Sequence, residues 1–575
     1  IGWSYELLDH EERNVFELMS VFSTTRLTAI ETVAAALGIG AVIDSLAALV
    51  DKSLIRSDDR GGSQRFSMLL MIKEYAETLL AEEPEREQAV RRAHALHFSA
   101  FAQGLKDRLG GTDRESALDD LESEIGNLRT AWRFWVQQDD LAQLFQLIDG
   151  LWALHEAKGW YHAAIELATD TLQVLGRAEP SEELAAEELS IRTSLARAVM
   201  AVRGYGVEVE EAFKKVLDMS QASGAAAQRF PVIRALATYY MSIADFEHAA
   251  DMGRQLLELG ERERDDSVTA EGHYVVGAAV AFSGDLDTGL PHLERAIELH
   301  NPRVHGSNRF RLGPNTGVVA RVASGLLFWS GGALDRGVER VAGALVLARE
   351  IDHPYSIAYA LYHNGFLALG RSRFDEALGR AKELAELAED NDYPLWMTLA
   401  KVLEGVALTA LGQPDQGLVL TEVGVDLYRG LTTPPIFWPL VLSLRAVVHA
   451  LAGQPARALE LIEEAMTAEG SQRYVDQRYV DPELLVSKGD FLMMLPEPDP
   501  TLAEAVYLTA IEGSLARRQR LTELRARTRL VGLRRAMGHS PDGSEELAAL
   551  HGTFTEGFDE ADLVRARELL ASSTV

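Results

Sequence analysis

His94 and His97 stand three residues apart in a stretch of helical periodicity, a spacing that can present two imidazoles to one metal ion. No Glu and no third His joins them, so they read as core or surface histidines and not as a metal site. Ala157-Lys158-Gly159 and Ser487-Lys488-Gly489 carry Lys ahead of Gly and lack a glycine-rich approach. A phosphate-cradling loop needs the opposite order, and no G-x-x-x-x-G-K-[ST] occurs in the chain. There is no G-x-S-x-G elbow and no H-E-x-x-H. Cysteine is absent, which removes thiolate nucleophiles, disulfides and Cys-ligated zinc. The sequence therefore predicts no enzyme, no cofactor and no metal, and leaves recognition as the chemistry to look for. One locally basic stretch in an acidic chain, Asn301 to Asn315, is a loop by its Pro, Gly and Asn content and offers Arg303, Arg309 and Arg311. It is either a ligand-contacting loop or a surface linker whose arginines pair with neighbouring acids.

The elements that must position such residues repeat. Phe246-Glu247-His248-Ala249, Leu286-Asp287-Thr288-Gly289, Leu334-Asp335-Arg336-Gly337, Phe374-Asp375-Glu376-Ala377, Pro414-Asp415-Gln416-Gly417 and Pro455-Ala456-Arg457-Ala458 are versions of one tetrad, their last positions spaced 40, 48, 40, 40 and 41 apart. Another small residue stands twelve positions before each anchor: Ala237, Gly277, Gly325, Gly365, Gly405 and Ala446. Two small positions at fixed separation let two antiparallel helices cross closely, and self-similarity at this period marks a helical solenoid. Weaker anchors fall at Ala164 and Ala212, and a last one at Ala505.

This pattern resembles the tetratricopeptide repeat family, with Leu236, Ala237, Tyr240 and Ala249 the best match. The usual period is about 34 residues, so the extra length is expected in the second helix and the linker. The resemblance implies a groove lined by the first helix of each pair. At its inner positions fall Arg234, Thr238 and Met241, then Tyr274, Trp329, and Tyr359, Tyr362, Phe366 and Leu369, with Trp396 and Trp438 near later helix starts. A ligand or partner site is expected at Arg234, Tyr274, Trp329, Tyr359, Tyr362 and Phe366, together with the basic loop. The same aromatics would serve equally as packing between helices.

Residues 1–80 differ. Asp9-His10-Glu11-Glu12 reads as a helix start, followed by Val15, Phe16, Leu18, Met19 and Phe22 at helical spacing. Further helices are predicted from Leu27 to Leu37 and from Ala41 to Asp51. Ser53-Leu54-Ile55-Arg56 and Arg65-Phe66-Ser67-Met68 read as strands about a turn at Asp58-Asp59-Arg60-Gly61-Gly62, and a helix follows from Leu69. Three helices and a β-hairpin make a winged-helix domain. Trp3-Ser4-Tyr5-Glu6-Leu7-Leu8, Leu49 to Ile55, Arg65 to Leu69, Ile72-Lys73-Glu74-Tyr75-Ala76, and Leu121-Glu122 with Asn127-Leu128-Arg129 and Trp132 resemble the winged-helix and repeat-opening segments of bacterial STAND-class regulators. That resemblance implies an NB-ARC-like ATPase upstream of Ile1, an autoinhibitory sensor array and a cytoplasmic location. It also implies a small-molecule inducer or protein segment in the groove, the upstream ATPase as an intramolecular partner, and no membrane. A scaffold that recruits a protein without switching is the alternative.

The fold expected is an all-α superhelical solenoid of tetratricopeptide-like helix pairs preceded by a small winged-helix domain: 1–80 winged helix, 81–145 helical connector, 146–535 repeat array, 536–575 capping helices. A formal charge of −31 over 575 residues argues against a large nucleic-acid or anionic-lipid surface. Within 1–80, seven Lys/Arg face twelve Asp/Glu, a balance of −5, so direct DNA binding is not expected. No run approaches 18 apolar residues, and Ile1 opens neither a signal peptide nor a native start, so the chain reads as a fragment.

Overall fold

The structure is a computed structural model that describes residues 2–60, 63–109, 113–158, 160–203, 207–222, 226–301, 314–391, 393–431, 437–467, 481–539 and 542–572. It divides into two compact units, Ile1–Ala198 and Val199–Val575.

In the first unit, Asp9 caps the helix His10–Met19 in a reciprocal capping box with Glu12, as the acidic start predicts. Helices Leu27–Ala36 and Val42–Asp51 follow. The sheet has three antiparallel strands in the order β1 (Thr25–Arg26), β3 (Ser63–Ser67), β2 (Arg56–Arg60), with Thr25 opposite Phe66 and Arg56 opposite Ser67. The first hairpin strand starts later than expected. Leu54 and Ile55 are buried ahead of it, and Asp58 to Arg60 extend the ladder up to Gly61-Gly62, which lie outside the described residues. Helices Leu70–Ala81, Pro84–Gly104, Arg114–Ser123, Ile125–Gln137, Leu141–Ala157 and Tyr161–Leu175 complete the unit's main body. One apolar core runs through all of it, from Leu8 and Phe16 through Phe98 and Trp135 to Ile191.

A buried polar knot joins the sheet to the later helices. Arg65 pairs with Glu124 at 2.7 Å and donates to the carbonyls of Thr24 and Ser123. Asn127 accepts from Ser23 N–H and donates to Glu124. Each group here is satisfied by another, which is the condition for burying such groups at all.

The second unit is a tetratricopeptide-like array of antiparallel helix pairs. The A and B helices are Ala226–Ser242 with Phe246–Glu263, Asp266–Phe282 with Leu286–Leu299, Thr316–Gly331 with Leu334–Glu350, Pro354–Gly370 with Phe374–Asp390, Pro394–Ala410 with Pro414–Gly430, Trp438–Leu451 with Pro455–Thr467, and Asp481–Met494 with Pro500–Ala516. Every tetrad opens a B helix at its first residue. The paired small residues meet where expected: a Cβ on Gly277 would come within 2.9 Å of the Gly289 carbonyl, and one on Gly405 within 2.7 Å of the Gly417 carbonyl. Two expectations are corrected. In the pairs from Pro354 to Gly430 both helices have 17 residues, so the added length sits in A as much as in B. In the seventh pair the buried anchor is Ala503, because the B helix starts at Pro500, and Ala505 is exposed.

Successive A helices pack side by side, whereas successive B helices make no comparable contact. The A helices are therefore the inner layer of the curve. Beyond the seventh pair, Arg520–Met537, Ser544–His551 and Ala561–Ala571 pack back against the third and fourth pairs.

Candidate functional site on the A-helix face

The described polar chemistry of the inner face gathers where the first three A helices of the array meet. Arg234, on Ala226–Ser242, reaches Glu271 on Asp266–Phe282 at 2.6 Å, and its guanidinium sits 5.8 Å from the Tyr274 ring centroid. Thr316, the first residue of the next A helix, donates to the other Glu271 oxygen. Burial pulls the Arg234 pKa down, but Glu271 outweighs it and the net shift is upward, so the guanidinium stays charged. Arg234 also donates to Thr238. One carboxylate thus ties three helices together and holds a cation over an aromatic ring.

Tyr359 continues the surface on Pro354–Gly370. Burial, Tyr274 and Tyr355 raise its pKa, and burial raises that of Tyr274, so both phenols stay protonated. His363 lies against Tyr359 with ring centroids 4.2 Å apart and donates from Nδ1 to the Tyr359 carbonyl at 2.8 Å. Burial pushes its pKa down to about 4, leaving a neutral imidazole at pH 7.

The structure divides the expected site residues. Arg234, Tyr274, Tyr359 and Phe366 are half-buried on the A-helix face. Tyr362 is 1% exposed and packs with Phe366 and Trp396, at centroid distances of 6.3 and 6.1 Å. Its ring belongs to the apolar core shared by neighbouring helix pairs. Trp329 is buried against Leu521, Leu524 and Phe554 of the C-terminal helices, a contact the repeat pattern does not contain. These two side chains are packing residues in this conformation. Arg303, Arg309 and Arg311 lie outside the described residues. Glu271 and Thr316 were missed. Glu271 lies three residues before Tyr274 on the same A helix, and a search of inner positions for charge as well as aromatics finds it.

Among the described residues there is no group of three His, Cys, Asp or Glu able to hold a metal ion, and no helix is long and apolar enough to cross a membrane. Arginines of Arg520–Met537 are paired within the unit: Arg525 with Asp562 and Glu483, Arg529 with Asp490, Arg534 with Glu504 and Arg535 with Asp542.

The architecture defines a helical repeat protein with a small α/β segment ahead of the array in sequence. No family model matches the chain. Proteins of Mycobacterium bovis and Mycobacterium tuberculosis, each carrying the name "Putative HTH-type transcriptional regulator", are 30% identical to it over 176 residues, which is 29% of this chain and 20% of theirs. The match thus spans about a fifth of the length of these curated relatives. Among solved structures, a STAND protein of Pyrococcus horikoshii with a tetratricopeptide repeat sensor aligns with a TM-score of 0.41 at 13% identity, over 85% of this chain and 66% of that one. A Rap protein complexed with competence and sporulation factor aligns with a TM-score of 0.38 at 13% identity, over 70% and 98%.

Proposed function

We propose that the chain is the sensing and autoinhibitory repeat region of a STAND-type signalling or transcriptional regulator, non-catalytic itself, with its ligand or partner segment held on the A-helix face. The observation that carries this reading is the Arg234–Glu271–Tyr274 cluster with Tyr359. A paired cation, two phenols and an apolar wall converge on the inner layer of a curved array, the arrangement that fixes the orientation of a bound segment. The 30% identity to named HTH-type regulators supports the regulatory context.

In this reading residues 1–80 are a winged-helix module that packs and does not read DNA. Five of its seven cations are engaged: Lys52 with Glu12, Arg65 with Glu124, Arg26 with Asp120, Lys73 with the Phe22 carbonyl and Arg13 with the Glu6 carbonyl. The outward residues of Val42–Asp51 are Ile43, Asp44, Ala47 and Asp51, which offer phosphates nothing. A second reading, a scaffold, is favoured by Val419, Val423 and Leu427, an exposed apolar stripe on one B helix.

A thermal-shift screen with peptides and small metabolites tests both. A binder taken on the A-helix face loses about 1–3 kcal/mol on Tyr359→Ala or Tyr274→Ala, with helicity kept. A binder indifferent to both and lost on Val423→Asp overturns the groove and supports the scaffold.

A further inference from the structure

The segment after the seventh helix pair does more than cover the end of the array. Helix Arg520–Met537 has two buried faces. Ala526, Leu530 and Leu533 pack on the seventh pair with Tyr507 and Ile511, while Leu521, Leu524 and Val531 pack on Trp329, Leu334, Val341 and Leu367 of the third and fourth pairs. Phe554, Leu563 and Ala566 extend that second contact. The last helices therefore touch turns that lie about two hundred residues earlier in the chain.

The seam is edged by matched charge. The turn ends of the array present Arg336, Arg371 and Arg373, and the stretch Glu556-Gly557-Phe558-Asp559-Glu560-Ala561-Asp562 brings four carboxylates to it. Arg371 meets Glu560 at 2.7 Å, with the glutamate side chain 4% exposed. The Arg336 N–H donates to Glu556, and the Gly557 N–H donates to Asp335 at 3.1 Å. Arg525 donates to the Gly370 carbonyl while pairing with Asp562. At Gly557, φ is +70°, and a Cβ would fall 2.6 Å from Leu334 Cβ, so the backbone itself presses into the array there. Across the turn, Gly332 (φ +96°) admits Phe554 in the same way.

We propose that residues 520–571 form an intramolecular clasp, closing the array by docking an acidic, Phe554-centred surface on the turn edge 332–337 and 370–373, and that the clasp opens while the helix pairs stay folded. Its apolar contact is one cluster along the turn edge, and its polar rim joins the buried Arg371–Glu560 pair to the exposed Arg373–Asp559 pair, the one that salt screens. Closed, it fixes the spacing between Thr316–Gly331 and Pro354–Gly370. Those helices carry Thr316 and Tyr359 of the candidate site, so site occupancy and clasp opening are linked. That link rests on the proposed function; the clasp does not.

Hydrogen exchange on the unliganded full chain tests the clasp without reference to any ligand. In Gly557→Ala, and separately in Glu560→Ala, amides of 544–571 should exchange at least about tenfold faster than in the parent, while those of 394–467 keep their rates. Because the chain has no cysteine, Arg373→Cys with Asp559→Cys, replacing an ion pair of 3.8 Å, gives a single cross-linking site. Its reaction with a short bis-maleimide should be rapid in the double variant and slow severalfold with Gly557→Ala added. Unchanged exchange in both variants, exchange rising evenly from 226 to 572, or cross-linking insensitive to Gly557→Ala overturns the proposal, since each means that the segment is an inseparable part of the core.

Discussion

Tyr362 offers a sharp test of how the A-helix face is built, because its ring and its hydroxyl predict opposite effects. The side chain is 1% exposed, and its hydroxyl oxygen is buried without a hydrogen-bond partner in the structure. Burial pushes its pKa well up, as expected for a phenol in apolar surroundings. Removing the hydroxyl alone, in Tyr362→Phe, deletes a buried unsatisfied group whose desolvation costs about 1–3 kcal/mol, so the variant should be more stable by roughly 1 kcal/mol or more. Removing the ring as well, in Tyr362→Ala, leaves a cavity beside Phe366 and Trp396 and should cost about 3–5 kcal/mol. Because a repeat array need not unfold in one step, urea titrations followed by circular dichroism should be paired with hydrogen exchange across 354–370. A Tyr362→Phe variant destabilised by more than about 1 kcal/mol would refute the reasoning, because the hydroxyl would then have a partner it depends on. Loss of ligand binding in Tyr362→Phe at unchanged stability would do the same and return Tyr362 to the binding site.

His94 is buried in the first unit and its pKa is pushed down to about 3 by burial. The unfolded chain takes up a proton near pH 6.5 and the folded one does not, so this group's stabilising contribution is complete above that value and is lost as pH falls toward 3. The slope reaches about 1.4 kcal/mol per pH unit, and His94→Gln should flatten it in urea midpoints compared at pH 7 and 4.5; an equal slope in both proteins counts against it. Glycines in the array separate by sign. Gly405→Ala forces Pro394–Ala410 away from the Gly417 carbonyl and should cost about 1–3 kcal/mol, whereas Gly379→Ala, with open space around it, should stabilise by up to about 1 kcal/mol. Melting temperatures that move the same way for both would show that the Gly405–Gly417 approach is not under steric control.

Local signals were legible wherever one residue type has one physical use. The tetrads locate six of the seven B-helix starts, because a small residue four positions into helix B is needed for the crossing it makes with helix A. Asp9 and Glu12 mark a helix start because they satisfy orphan N–H groups that no other arrangement reaches. What the sequence does not show is which face of a residue another chain segment will cover. Trp329 sits at an inner position by register, yet helices from beyond Arg520 bury it. Arg65 reads as one of seven cations, yet Glu124 and two carbonyls enclose it, a contact between residues 59 apart. For the same reason a boundary placed at 145 by motif lies inside a core that continues to Ile191. Glu271 was passed over because aromatics were sought at inner positions and charge was not.

The length of the repeat bears on how site and clasp relate. A seventeen-residue helix such as Pro354–Gly370 is about 25 Å long at 1.5 Å per residue. Tyr359 lies near its start, and Leu367, which touches the clasp cluster, lies eight residues further, about 12 Å along the axis. Thr316 and Trp329 stand thirteen residues apart at opposite ends of the neighbouring A helix, about 20 Å. Each of these helices is thus a rod with recognition chemistry toward one end and the closing contact at the other. The Gly325–Gly337 crossing, where each Cβ would press on the opposite backbone, lies between Thr316 and Trp329 and holds that rod to its own B helix. A pair gripped at such a crossing tilts as a body more readily than it bends. On the proposed reading, a ligand that draws Tyr359 toward Arg234 would therefore change the spacing of Leu334, Leu367 and Trp329 at the far ends, where Phe554 and Gly557 are seated. Longer helices give that lever more reach than the usual period does.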